Sequence, residues 1–103
     1  MSNDELRRTV LQAVADDYEE LEMIISEIVK WTTADGSGTP DRSQIEHTLM
    51  ASITDKDVQA YLPSEPSGQL VPAMADPQNL HTLWFYITEQ GKERLQGLEG
   101  AGG

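Results

Sequence analysis

A stripe of apolar residues at helical spacing runs through the first third of the chain. Within residues 4–33, which contain no Gly or Pro, the stripe predicts one long helix, because spacings of three and four place side chains on one helix face. Asp17 interrupts the stripe, and Asp16 with Glu19 can cap a second helix, so a break near Asp16 is the alternative. The stripe consists of Leu6, Val10, Val14, Tyr18, Leu21, Ile25 and Ile28.

A loop and a second helix follow. Residues 34–40 are rich in Gly, Ser, Thr and Pro, a composition typical of a loop. Thr39 or Asp41 can cap the next helix, which we expect to end near Ile53. Its helical phase directs Ile45, Leu49 and Ile53 inward. The same phase directs outward Ser43, Gln44, His47, Met50 and Ala51.

The second half of the chain carries strand and turn signals. Residues 58–62 predict a short strand that ends at Pro63, and residues 63–80, with their prolines, predict a long loop with a helical turn at 76–80. The aromatic run 83–87 predicts the central strand, after which Thr88 can cap a helix from Glu89 to about Leu98. These elements are expected to share a core of Leu49, Tyr61, Trp84, Tyr86 and Leu95.

The order of the elements predicts a single α+β domain over residues 1–99. The sheet is expected within residues 57–87 as two or three antiparallel strands, and residues 100–103 are expected to form a flexible tail. The chain has 103 residues, of which 38% are apolar, enough for one modest hydrophobic core.

The segment from Trp84 to Leu95 resembles the end of a winged-helix domain. In that family an aromatic strand leads to a threonine that caps the closing helix, here Thr88, and to a glycine that permits close backbone approach, here Gly91. The resemblance covers residues 41–95 and implies a winged-helix-like fold with a long N-terminal helix, a second helix, a wing and a C-terminal helix. The loop before the second helix is too short for the helix that precedes the recognition helix in this family, so a truncated motif is expected.

Charge argues against the DNA binding that is usual in that family. The chain has 18 acidic and 7 basic residues, a net charge of -11, and phosphates should be repelled. The family's DNA-contacting positions correspond to the outward residues of the second helix and to the loop 63–79, and no Lys or Arg lies between Lys56 and Lys92. The prediction is a non-catalytic protein-protein interaction adaptor or regulator. Its interaction face is expected to be Ser43, Gln44, His47 and Met50.

Two alternatives remain open. One is a DNA-binding transcriptional regulator that uses Arg7, Arg8, Arg42, Lys92 and Arg94. The other is a carrier or modifier that acts through its C-terminal Gly102-Gly103, as ubiquitin-like proteins do.

The predicted first helix is longer than the core it would cover. About 28 helical residues span roughly 42 Å, whereas a 100-residue domain has a radius of gyration near 13 Å. We therefore expect a homodimer in which a second copy covers Leu6, Val10 and Val14, unless the helix breaks near Asp16 and folds back.

No cofactor, metal or catalytic motif is predicted. The chain has no cysteine, and it contains no glycine-rich phosphate loop and no nucleophile motif. His47 and His81 lack the spacing of a zinc site, and the acidic cluster at 16–22 lacks a calcium-loop pattern. With no membrane-length apolar run and no signal peptide, a cytoplasmic protein with a protein partner is expected.

Overall fold

The computed structural model describes residues 2–36 and 38–101, which form four α-helices and one four-stranded antiparallel sheet. This architecture confirms the α+β class and has more strands than the two or three expected. A 3₁₀ turn at Leu80–Thr82 precedes the last strand. The elements are α1 (Asn3–Ala13), β1 (Glu19–Glu20), α2 (Leu21–Asp35), α3 (Arg42–Thr54), β2 (Val58–Ser64), β3 (Gln69–Pro72), β4 (Trp84–Ile87) and α4 (Glu89–Ala101).

The predicted long helix over residues 4–33 is two helices, α1 and α2, joined through the short strand β1. The Val14 carbonyl accepts a hydrogen bond from the Ile87 amide at 3.0 Å, so the sheet takes up a group that a continuing helix would have used. The alternative of a break near Asp16 is therefore confirmed. The predicted Asp16 cap is wrong, because α2 has Glu20 at its N-cap, without a side-chain hydrogen bond.

The break removes the overhang on which the predicted dimer face rested. α1 packs against α3 and α4 of its own chain. Leu6, Val10 and Val14 are 6%, 0% and 0% exposed within a single chain. They are core residues with no face left for a second copy to cover, and the dimer face assigned to them is corrected.

α2 and α3 are consecutive helices, separated by the loop that follows Asp35. α3 begins with a capping box in which Asp41, one of the two predicted caps, accepts from the Gln44 amide at 2.9 Å. The Gln44 side chain accepts from the Asp41 amide at 2.9 Å.

The sheet has the strand order β1-β4-β2-β3. The strand predicted to end at Pro63 continues to Ser64 and turns back into β3, which lies within the predicted long loop. Pro63 pairs with Leu70 of β3. On the other side of β2, the pairing with β4 covers only residues 58–61 and does not reach Pro63. Proline is tolerated at such a sheet margin, and its presence there explains the missed hairpin.

The predicted phase of β4 is wrong. Phe85 and Ile87 lie in the core, where they pair across the strands with Ala60 and Val58. Tyr61, Trp84 and Tyr86 lie half-buried on the opposite, outer face of the sheet. Of the other predicted core residues, Leu49 is fully buried and Leu95 packs at the margin. The largest fully buried apolar residues are Phe85, Leu11, Leu21, Ile24, Ile28, Ile45, Leu49, Leu80, Val10, Val14 and Val58.

The closing helix follows the predicted motif. Thr88 Oγ1 accepts from the Gly91 amide at 3.0 Å and donates to the Lys56 carbonyl at 2.7 Å, so the cap is confirmed. A Cβ on Gly91 would lie 2.9 Å from the Asp57 carbonyl carbon and closer still to its oxygen, which confirms the close approach. α4 continues to Ala101, into the predicted tail at 100–103, and the last two glycines lie outside the described residues.

Candidate interaction surfaces

The first candidate surface lies on α3, where the sequence predicted it. Ser43, Gln44 and His47 are exposed and line a shallow cleft of about 260 Å³ with Asn3 at the start of α1. Met50 is half-buried and packs against the core, so it does not belong with the outward residues. Within this set, Gln44 also holds the capping box of α3.

The α3 surface presents no unpaired cation among the described residues. Arg42 bonds to Glu22 of α2 at 2.6 Å and lies 3.8 Å from Glu46 one turn along. The hydrogen bond between Arg42 and Glu22 raises the pKa of the guanidinium and lowers the pKa of the carboxyl. Because this pair is exposed, it contributes little stability, but it neutralises the only Lys or Arg of the helix.

Two further arginines are held by a buried carboxylate. Asp57 is fully buried at the start of β2, and its Oδ2 accepts from Arg7 of α1 at 3.1 Å and from Arg94 of α4. Gln90 donates to the other carboxylate oxygen at 2.9 Å, and Arg7 also bonds to Asp55 at 3.1 Å. These bonds connect α1 and α4 to the turn before β2. The side chains of Arg7 and Arg94 therefore stabilise the fold.

Of the remaining two basic residues of the DNA-binding alternative, Lys92 forms an ion pair and Arg8 does not form one in the recorded contacts. Lys92 lies 3.2 Å from Glu89 and 5.9 Å from the centre of the Tyr86 ring. Arg8 is half-buried, and its Nε atom has no hydrogen-bond partner. It lines a cleft of about 280 Å³ beside Gln12 and Trp31, between α1 and α2. The five predicted DNA-contacting side chains are thus spread over α1, α3 and α4 and do not form one basic patch.

A second surface, absent from the sequence-based predictions, is the outer face of the sheet. Four aromatic side chains meet there, and we call them the aromatic face: Tyr18, Tyr61, Trp84 and Tyr86. The Tyr18 ring lies 5.1 Å from the Tyr61 ring, edge to face, and 4.9 Å from the Tyr86 ring, between centroids. Trp84 pairs directly with Tyr61 across the strands. The signal that could have revealed this face is Gln59, since a polar residue opposite Tyr86 marks the outer side of the sheet.

A cleft of about 350 Å³ adjoins the aromatic face where the β2–β3 hairpin begins to turn. It is lined by Asp17, Tyr18 and Trp84 on one side and by Pro63, Gly68 and Leu70 of the hairpin on the other. Glu19 pairs with the buried Phe85, so its side chain lies on the inner side of the sheet and not at this cleft. Burial first, and then the charges of Glu27 and Asp17, raise its pKa. The pKa of Tyr61 is also raised, mainly by burial. The cleft therefore combines aromatic side chains with one acidic residue, Asp17.

The two histidines considered for zinc lie on α3 and in the 3₁₀ turn before β4. Within residues 2–36 and 38–101, no group of three or more potential metal ligands converges. None of the helices described there has both the length and the apolar composition that membrane crossing requires. The C-terminal Gly102-Gly103, on which the carrier alternative rests, lies outside the described residues.

Comparison with models of protein families, with functionally characterised proteins and with solved structures gives no significant match.

Proposed function

We propose that the chain is a winged-helix-like domain that binds another protein and has no catalytic role. Support for the scaffold comes from two consecutive helices, α2 and α3, joined by a short loop and followed by the β2–β3 hairpin. This order corresponds to a helix-turn-helix and its wing. α3 then occupies the position of the recognition helix, and the hairpin occupies that of the wing.

The observation that carries the proposal is the state of the basic side chains. Nucleic-acid affinity depends on cations that are available to neutralise phosphates. Arg7, Arg42, Lys92 and Arg94 each lie in an ion pair with a carboxylate of the same chain, and the hairpin has no Lys or Arg. A duplex that used these four side chains would have to break their ion pairs before it gained a phosphate contact. It would also meet a net charge of -11.

The surface that remains suits a protein partner better. The hairpin exposes Leu62 and Val71, which are 42% and 41% accessible, and the start of α3 offers neutral polar groups at Ser43 and His47. Apolar side chains with neutral hydrogen-bonding groups around them are typical of the core and rim of protein interfaces. Fold alone does not assign this role, so the proposal rests on these side chains.

DNA binding measured by fluorescence anisotropy tests the proposal against its main rival. We expect no binding of generic duplex DNA tighter than about 10⁻⁴ M at physiological salt. Micromolar binding that weakens steeply as salt rises would instead favour a transcriptional regulator.

Site-directed photo-crosslinking in the source cell tests the α3 surface directly. A photoreactive residue at position 47 should capture a defined protein, whereas the same residue at position 93, exposed on α4, should not. Equal capture at both positions, or none at position 47, would count against α3 as the interface. Removing Gly103 should leave capture at position 47 unchanged, and its loss would favour the carrier alternative.

A further inference from the structure

We infer that the aromatic face and its adjoining cleft bind a lysine or arginine side chain from a basic segment of a partner protein. The inference rests on the proposed function, since it names the chemistry of the partner, but it uses a surface distinct from α3. Tyr18, Trp84 and Asp17 all line the cleft. Aromatic rings and a carboxylate around one cleft provide both attractions that an ammonium or guanidinium group uses.

The rings are arranged to receive a cation. Aromatic faces carry negative electrostatic potential, and grouped rings attract a positive group more strongly than a single ring does. The chain itself provides an example on this side of the sheet, where the Lys92 ammonium lies 5.9 Å from the centre of the Tyr86 ring. Tyr18, whose ring contacts the Tyr86 ring, is 37% exposed and lines the cleft.

The charges around the cleft select the same kind of ligand. Asp17 lines it, and Glu20 of the adjacent edge strand lies directly opposite Trp84, on the same face of the sheet. Neither of these two carboxylates takes part in an ion pair recorded among the described residues. An anionic ligand, including DNA or an anionic membrane surface, would be repelled here.

The shape of the cleft favours a side chain on a polypeptide. A Lys or Arg side chain has an apolar stem, which can lie along Pro63 and Leu70, and a charged end that reaches Trp84 and Asp17. About 350 Å³ accommodates one such side chain rather than a folded surface. Because the cleft opens at the sheet margin beside the hairpin, the rest of the segment can continue across the exposed outer face.

A fluorescence titration tests this inference with a capped peptide of alternating glycine and lysine. Trp31 lies in a different cleft, and Trp31→Phe leaves Trp84 as the only tryptophan reporter. We expect the lysine peptide to change Trp84 emission and a matched peptide with glutamine in place of lysine to have no effect. Tyr18→Leu, which keeps an apolar group but removes the ring, should weaken binding about fivefold.

Two acidic variants separate the cleft from general attraction to an acidic protein. Asp17→Asn and Asp4→Asn change the net charge equally, but Asp4 lies at the opposite end of α1 from the cleft. We expect Asp17→Asn to weaken binding at least as much as Tyr18→Leu, and Asp4→Asn to leave it within about twofold, since distant charges are screened. Equal losses in the two acidic variants, or binding that is unaffected by Tyr18→Leu, would overturn the inference.

Amide chemical shifts of the unmodified protein give a readout that does not depend on variant folding. The lysine peptide should shift Tyr18, Gly68 and Leu70 and leave His47 of α3 unchanged. Shifts confined to α3, or spread evenly over the acidic surface, would contradict the assigned site. If crosslinking at position 47 succeeds while these shifts are absent, the proposed function stands and this inference fails. If duplex DNA binds while the cleft residues shift with the peptide, the proposed function fails and the cation site stands.

Discussion

Alanine in place of Gly91 tests the contact that closes the fold. The added Cβ would lie 2.7 Å from Ile87 Cγ1 and 2.9 Å from the Asp57 carbonyl carbon, whereas ordinary contacts begin near 3.4 Å. The carbonyl group cannot move aside freely, because its oxygen accepts hydrogen bonds from the amide and the hydroxyl of Thr88 at 2.9 and 3.1 Å. Relief therefore requires α4 to shift away from the turn before β2.

Such a shift would be costly. Forced overpacking in a well-packed region typically costs 1–3 kcal/mol, and here the contact is with backbone that also anchors the cap, so we expect a loss of about 3 kcal/mol or more. For a domain of this size each kcal/mol corresponds to roughly 4–8 °C in Tm, so the melting point should fall by on the order of 12 °C or more.

Gly97 of the same helix is a matched control. A Cβ there meets nothing within 4 Å, and the position is exposed. Gly97→Ala should stabilise the protein by about 0.5–1 kcal/mol, because alanine favours helix and restricts the unfolded chain. The assay is urea denaturation followed by far-ultraviolet circular dichroism. A loss below about 1 kcal/mol for Gly91→Ala would refute the close approach of α4 to Asp57.

Three further predictions concern the core, the buried carboxylate and pH. Phe85→Ala should lower the free energy of unfolding by about 3–5 kcal/mol in the same denaturation assay, and Trp84→Ala should lower it clearly less. The reverse order would show that Trp84, and not Phe85, is the core residue of β4. Asp57→Asn should cost about 3 kcal/mol and Asp55→Asn, 49% exposed, under about 1, so similar losses would argue against the buried ion-pair cluster. The pKa of Glu19 is raised in the folded protein, so ionisation of this carboxyl disfavours folding. Its contribution to stability is therefore present below pH 4.5 and is lost as pH rises through the folded-state pKa. Glu19→Gln should therefore raise Tm at neutral pH and leave it unchanged below pH 4.5, and an equal effect at both pH values would contradict this assignment.

The helices were predictable as apolar stripes, but the break between the first two was not the favoured interpretation. Val14, Leu21 and Ile28 keep one helical phase across the break, so periodicity alone could not reveal it. The break is stabilised by a tertiary interaction, the bond from the Ile87 amide to the Val14 carbonyl. A strand at the far end of the chain therefore decides where the first helix stops.

The prediction of which side chains of β4 point inward was wrong for a related reason. Both faces of the run 83–87 are apolar or aromatic, so alternation does not say which one is inward. The partner strand decides, because Val58 and Ala60 are small enough to pack under the helices while Gln59 must stay outside. The net charge follows directly from the sequence. The ion pairs of Arg7 and Arg94 with Asp57 do not, because they depend on contacts between residues distant in sequence.

We propose that this acidic surface, on which four of the seven basic side chains form ion pairs within the chain, selects a cationic protein partner over nucleic acid. The most direct test is a parallel anisotropy titration of the unmodified protein with labelled duplex DNA and with the labelled lysine peptide, in one buffer and over the same range of salt. We expect peptide binding that strengthens as salt falls, and no DNA binding tighter than about 10⁻⁴ M at physiological salt. Micromolar DNA binding that weakens steeply with salt, together with no binding of the peptide, would contradict it.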